Sequence, residues 1–305
     1  MQATSGHERF PLPKGEGSFG LALATGKITQ RHTMSPSLPR AVSLPVNRCN
    51  LPAAILGSLT FQRHPAPLKL DGVEELHRQL FARLAELDSG GERAGVFTAH
   101  MNAAFCLEHP EEAGHDAASP HGRAKANYLK VLRGWAFDAD GREGAVLKGW
   151  VESRFGLLPR HHGGPIRDFS GATYRHYQEQ RSGGLYNTNS LEAQFDLLYA
   201  WCQYELQRRF TGETHLTLYR GVNRMGGYEV LAEPGADDTR IVLLNSLNSF
   251  TRERERACEF GDSILEARVP LPKVCFFHGL LPGMLGGEAE FGVIGGVYEV
   301  RVPAA

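Results

Sequence analysis

The 305-residue sequence carries 33 Lys and Arg against 34 Asp and Glu, a formal net charge of −1 with His neutral, which excludes a global basic field for nucleic acid or an anionic membrane surface. At 42% apolar residues the chain can bury a substantial core, yet no apolar run approaches the roughly 20 residues that a spanning helix needs. Five cysteines, Cys49, Cys106, Cys202, Cys258 and Cys275, stand far apart with no C-x-x-C pair; the pattern fits neither a disulfide scaffold nor a zinc cluster and points to a reducing, cytoplasmic setting.

Residues 1 to about 40 are rich in Gly, Ser, Pro and Thr without apolar periodicity. They read as a disordered leader, with Met34 as an alternative start, and they lack the charge, apolar stretch and cleavage site of a signal peptide. Gly15-Glu16-Gly17-Ser18-Phe19-Gly20 spells G-x-G-x-x-G, but no strand precedes it, so the dinucleotide-fold context is missing. Residues 41–210 read as a mostly helical part. Asn47–Gln62 suggests loop and short buried segments. A helix is expected from Asp71, where Glu74 stands at capping-box spacing and Val73, Leu76, Leu80, Leu84 and Leu87 follow helical period until Ser89-Gly90-Gly91. Further helical patterns cover Arg123–Trp135 and Ala145–Phe155. A Gly, Pro and His-rich loop spans Leu158–Pro165, and a long helix runs from Leu191 to Arg209 with Ser190 as cap.

After Gly212 the texture changes to short β-rich runs: His215–Tyr219, Ile241–Leu244, Ile264–Val269, Val274–Phe277, Phe291–Ile294 and Val297–Val302, with one short helix near Arg254–Phe260. No crossover helices separate most of them, which argues against a doubly wound parallel sheet. The fold class is therefore α+β, with residues 211–305 as a β-rich core. Metal chemistry finds little support. His161 and His162 are adjacent, and Asp138-Ala139-Asp140-Gly141, aligned as a calcium loop, places Ala136 and Leu147 at ligand positions, so it reads as a tight turn. No metal is expected.

Three pieces of the β-rich part can carry chemistry. Leu216–Gly221 is a strand ending on Arg220 and Gly221; an arginine there reaches into a cleft with planar donors suited to pyrophosphate, and the glycine lets backbone approach a ligand. Asn248-Ser249-Phe250-Thr251 delivers two hydroxyls into a turn, Thr251 capping a helix whose Ala257 and Phe260 point inward. Glu288-Ala289-Glu290 places two carboxylates on one side of extended backbone, ahead of the strand Phe291–Ile294; close carboxylates separate in pKa into a charged stabiliser and a proton acceptor.

In order and spacing these pieces resemble the arginine–serine–glutamate triad of the cholera-toxin-like mono-ADP-ribosyltransferases, and the paired glutamates resemble the subset that modifies arginine. Residues 47–62, 126–159 and 186–205 are similar to the dinitrogenase-reductase ADP-ribosyltransferases of nitrogen-fixing bacteria, a likeness that extends over nearly all the chain from Asn47. The family's second hydroxyl is here Thr251. The resemblance implies a helical part packed on a mixed β-sandwich, NAD as co-substrate, and transfer of ADP-ribose to an arginine of dinitrogenase reductase, the nitrogenase iron protein. It implies Glu290 beside the nicotinamide ribose, Ser249 holding it in register, Arg220 on the phosphates, the Gly221 backbone on the nicotinamide amide, Phe260 over the ring and Glu288 on the acceptor. It also implies the PII signalling protein as a partner. Two other readings stay open: a relative with another acceptor or chiefly hydrolysing NAD, and a silent binding protein.

Overall fold

Helices fill the chain as far as Arg209 and strands begin at His215 in the computed structural model, which describes residues 36–114, 126–223, 225–232, 238–282 and 289–302. The chain divides into Met1–Met34 and Ser35–Ala305, and every described residue lies in the second unit. The G-x-G-x-x-G spelling, Glu288 and most of the expected leader fall outside the described residues. Leu38 is already buried in the core.

The Asn47–Gln62 segment forms two short helices, α1 (Ala53–Leu56) and α2 (Leu59–Arg63). The helix expected from Asp71 is broken. Gly72, at φ 77°, starts α3 (Val73–Leu76), and the chain re-enters at α4 (Arg78–Ala85). Asp71 is therefore not its cap, and Leu76 is 80% exposed. Ser89-Gly90-Gly91 opens rather than only closes a helix. The Ser89 hydroxyl accepts from Glu92 N at 3.4 Å, capping α5 (Gly90–Ala104), which the Gly and Ala-rich text had concealed.

Four further helices build the frame: α6 (Tyr128–Phe137), α7 (Arg142–Phe155), α8 (Ala172–Leu185) and α9 (Leu191–Arg209). Buried charge ties them together. Arg154 on α7 forks onto Asp196 of α9 at 2.8 and 3.0 Å, and Trp150 Nε1 donates to the same carboxylate at 2.7 Å. Arg93 on α5 grips Glu205 of α9 in the same manner, at 2.6 and 3.2 Å. Such bidentate pairs fix orientation as well as distance. Ser190 precedes α9 as expected but in the left-handed region at φ 47°, with no capping bond from its side chain. The turn expected at Asp138–Gly141 is present: Asp138 Oδ1 accepts from Asp140 N at 2.9 Å.

The strands are β1 (His215–Val222), β2 (Glu229–Ala232), β3 (Thr239–Thr251), β4 (Ser263–Pro270), β5 (Val274–Phe277) and β6 (Glu290–Arg301), with α10 (Arg254–Cys258) after β3. Their order is β2-β3-β1-β4-β6-β5, and β3 pairs with β6 as well, so β3, β1, β4 and β6 close a ring. Every pairing among the described strands is antiparallel, in place of the mixed sheet expected. Phe291–Ile294 and Val297–Val302 join into the single strand β6, because Gly295-Gly296 makes a local irregularity rather than a turn. A side chain at Gly295 would meet Asn245 O at 1.7 Å, and Gly296 sits at φ 110° against the Gly57 backbone.

The helical frame and the sheet meet along α9 and β5, where Gln203 Nε2 donates to Val274 O at 2.7 Å and Tyr199 Oη to Pro272 O at 2.7 Å. Gln62 of α2, 4% exposed, bonds the Arg268 and Glu299 carbonyls and the Glu299 N–H, plugging the seam between β4 and β6. No helix among the described residues is long and apolar enough to cross a membrane.

Candidate active site

Strand register brings the expected groups together. On β1, Leu216 and Leu218 are buried and Arg220 follows on the same row, so the cation ends a core-facing face at the open end of the sheet. Thr251 of β3 stands opposite Glu290 of β6, and Ser249 opposite Gly292, which places Ser249, Thr251 and Glu290 on one face of the pair. Tyr219 pairs with Thr251 across the β1–β3 seam. Three separate strands therefore deliver Arg220, Ser249 and Glu290 to one end of the ring.

Their side chains connect. Ser249 Oγ donates to Glu290 Oε1 at 2.5 Å. Arg220 Nη1 donates to the Ser249 carbonyl at 2.7 Å, and its Nε to Tyr228 Oη at 3.1 Å. Glu290 is only 5% exposed, and a second donor, Trp135 Nε1 on α6, reaches its Oε1 at 2.8 Å. That indole belongs to the helical part and was not singled out in the sequence, where Trp135 only closes the helical pattern Arg123–Trp135.

These groups line a cleft with two compartments. One, of about 280 Å³, is bounded by Arg220, Gly221, Ser249, Phe260, Arg256 and Glu290. The other, of about 390 Å³, shares Arg220, Gly221, Ser249 and Phe260 and extends to Trp135, Lys148, Arg160 and Asn248. Sizes of this order suit small-molecule sites of roughly 300–1,000 Å³. Phe260 is 55% exposed on the cleft wall, with the Arg256 guanidinium 5.5 Å from its ring centre. It does not point inward; Ala257 alone does, at 1%. Thr251 does not cap α10, whose N-cap is Glu253, but its hydroxyl accepts from Glu253 N at 3.2 Å and holds the turn before it. Gly221 is required for close approach: a β-carbon there would lie 2.0 Å from Ala257 O.

The wall of the second compartment holds two ion pairs, Lys148 with Asp140 and Arg160 with Glu229. Lys148 of α7 is 1% exposed and bonds Asp140 Oδ1 at 2.7 Å and the His161 carbonyl at 2.9 Å. Burial lowers its pKa, and Asp140 offsets part of that. Burial also acts to raise the Asp140 carboxyl, but the adjacent ammonium holds it below the ordinary carboxylate range. His162 is pushed down to about 4 by burial and by Lys148, so its imidazole is neutral. The Leu158–Pro165 loop is pinned to β3 at its irregular stretch, where Asn245 Oδ1 accepts from Arg160 N at 2.8 Å, and Arg160 pairs with Glu229 of β2 across the mouth. Among the described residues no group of three or more His, Cys, Asp or Glu is placed to hold a metal ion.

A guanidinium, a hydroxyl and a buried carboxylate around one cleft are groups of the kinds that bind phosphate and stabilise a cationic sugar. Residues 46–302 match the family model for dinitrogenase reductase ADP-ribosyltransferase. The chain is 41% identical over 263 residues, 84% of its length and 93% of the relative's, to the NAD(+)–dinitrogen-reductase ADP-D-ribosyltransferase of Rhodospirillum rubrum. No solved structure matches it. The chain belongs to the dinitrogenase reductase ADP-ribosyltransferase family.

Proposed function

We propose that this protein transfers ADP-ribose from NAD to an arginine of dinitrogenase reductase, inactivating it and so regulating nitrogen fixation. The observation that carries the reading is the convergence of Arg220, Ser249 and Glu290 on one cleft in a chain of this family.

The chemistry follows from charge. When the ribose C1′–N bond of NAD breaks, its electron pair goes to the nicotinamide ring nitrogen. Nicotinamide leaves neutral and positive charge moves onto the ribose, as in glycoside hydrolysis. No acid is needed for the leaving group; what lowers the barrier is a fixed negative charge beside the ribose. Glu290 supplies it and accepts a bond from a ribose hydroxyl, and Ser249 keeps its carboxylate in register. Arg220 clamps the phosphates with its fork, in the compartment it shares with Lys148 and Arg160. The Gly221 backbone pairs with the nicotinamide amide, and Phe260 covers the ring.

The acceptor guanidinium is protonated, with a pKa above about 12. Attack on C1′ therefore requires a proton acceptor close to it. Glu288, two residues before Glu290 on the same chain, binds the guanidinium and takes that proton; it lies outside the described residues.

The closed antiparallel ring is read as the ADP-ribosyltransferase sandwich core. Residues 41–210 then serve recognition: they shape the cleft, dock the iron protein and offer a surface to PII in the cytoplasm. Their text, similar to the family's, and their Trp, Tyr and Arg side chains, favoured at interface anchors, support this role. Incubation of the chain with NAD and purified iron protein, followed by intact mass, tests the function. One ADP-ribose added to an iron-protein arginine is the expected result. Nicotinamide release with no mass gain would replace the transferase by an NAD hydrolase.

A further inference from the structure

The three tryptophans of the chain treat their ring N–H groups differently. Trp150 Nε1 binds Asp196 inside the helical frame, where Arg154 already neutralises that carboxylate. Trp201 Nε1 is buried with no hydrogen-bond partner among the described residues, so the fold tolerates an unpartnered indole. Trp135 Nε1 instead crosses from α6 to the sheet and binds Glu290 Oε1 at 2.8 Å, 155 residues away in sequence.

Its seat is built to hold that position. Asn127 caps α6 by accepting from Lys130 N at 3.0 Å, and Gln194 of α9 accepts from Tyr128 N at 3.0 Å. Val131 and Leu132 are fully buried beneath it, and Trp135 itself is 2% exposed. The helix is anchored at its start and leans its last turn on the cleft. An indole N–H is a donor only, so its bond favours the carboxylate as an ionised acceptor. Ser249 Oγ meets the same oxygen at 2.5 Å. Two donors from different elements, one helical and one strand, together fix the rotation of the carboxylate plane in a way that either alone would leave loose.

We propose that Trp135 is a positioning residue for Glu290, through which the helical part sets the orientation of the carboxylate. This rests on the reading of Glu290 as the group beside the ribose. Such a residue acts on the transition state more than on ground-state binding, because the charge it helps to aim interacts fully only when the ribose becomes cationic.

The test measures nicotinamide release from NAD by the full-length chain, separating kcat from KM. Position 135 is replaced by Phe and, to keep shape, by β-(3-benzothienyl)alanine, which puts sulfur in place of the N–H, and by 5-fluorotryptophan, which retains it. Glu290→Gln is the control. Losing one hydrogen bond to a charged group is expected to lower kcat by about ten-fold or more with KM for NAD within about two-fold, in the W135F and benzothienyl proteins, while the fluorotryptophan protein keeps activity. Should W135F fail to fold, the benzothienyl and fluorotryptophan pair decides the matter. Unchanged kcat in the benzothienyl protein alongside an inactive E290Q overturns the proposal and leaves Glu290 in place. So does equal loss in both shape-matched proteins, or a change confined to KM. An E290Q protein with normal turnover overturns the reading of Glu290, and the proposal with it.

Discussion

Arg220 Nη1 donates to the main-chain carbonyl of Ser249 at 2.7 Å, while the Ser249 hydroxyl donates to Glu290 at 2.5 Å. One residue thus braces the cation through its backbone and the carboxylate through its side chain. The two functions can be separated by mutation, since removing the hydroxyl leaves the carbonyl untouched.

Ser249→Ala should lower kcat for NAD cleavage about ten-fold with little change in KM, because only the contact to Glu290 is lost. Arg220→Lys should do the reverse. An ammonium cannot hold Tyr228 Oη and the Ser249 carbonyl and still present a fork to phosphate, so KM for NAD should rise by about ten-fold or more as a charge-assisted contact is lost. Steady-state NAD titrations of both variants check the split, and a common effect on kcat and KM in the two would contradict it.

The paired carboxylates should divide their labour. If Glu290 stabilises the ribose cation as proposed, Glu290→Gln should lower both transfer and NAD hydrolysis by at least about 100-fold. Glu288→Gln should lose transfer to the iron protein and keep part of the hydrolysis, because attack by water does not require a guanidinium to be bound and deprotonated. Labelled NAD, with counts taken separately in protein and in free ADP-ribose, distinguishes the two. Equal loss of both activities in both variants would refute the assignment.

Gly221 and Gly183 make opposite cases. A methyl at Gly221 would lie 2.0 Å from Ala257 O and 3.1 Å from Gly261 N, so Gly221→Ala must push α10, and Phe260 after it, away from β1. A cost of about 1–3 kcal/mol is expected from such overpacking, together with a higher KM for NAD. Gly183, on the exposed side of α8, has nothing within 4 Å of its virtual β-carbon. Gly183→Ala should stabilise by about 0.5–1 kcal/mol through helix propensity alone. Thermal melts of the two proteins, with NAD kinetics on the first, measure both effects.

Much of this site is legible in the sequence because strands write their geometry locally. Alternation along Leu216, Leu218 and Arg220 places the cation on the inward row, and the order Arg220, Ser249, Glu290 follows the strands β1, β3 and β6. Trp135 is not legible, since its partner lies on β6 and its helical spacing is what a core residue shows as well. Lys148 and Arg160 were hidden for the same reason: a helix and a loop bring them to the cleft only after α7 has packed on β3. Asp71, Ser190 and Thr251 all stand at or near helix starts, yet neighbouring backbone at Gly72 and Ser190 adopts the left-handed region and displaces the expected bond.

Lys273 offers a measurement of stability independent of the cleft. It is fully buried, with Nζ 2.6 Å from the Gly295 carbonyl and 4.7 Å from the centre of the Tyr298 ring. Burial pushes its pKa from the ordinary 10.5 down to about 7. Below pH 7 both folded and unfolded chains carry the proton, and the folded chain bears the whole cost of a desolvated cation. Between about 7 and 10.5 the unfolded chain keeps a proton that the folded chain has released, so stability rises with pH across that window. Lys273→Met cannot titrate; it loses the contact to Gly295 O and the cation's contacts with the Tyr298 and Phe61 rings, a loss that does not vary with the Met protein's own titration. Wild type should therefore gain stability relative to K273M as pH is raised from 7 toward 10, as read from urea unfolding of the two proteins at matched pH. Curves that stay parallel across that range would place the Lys273 proton elsewhere.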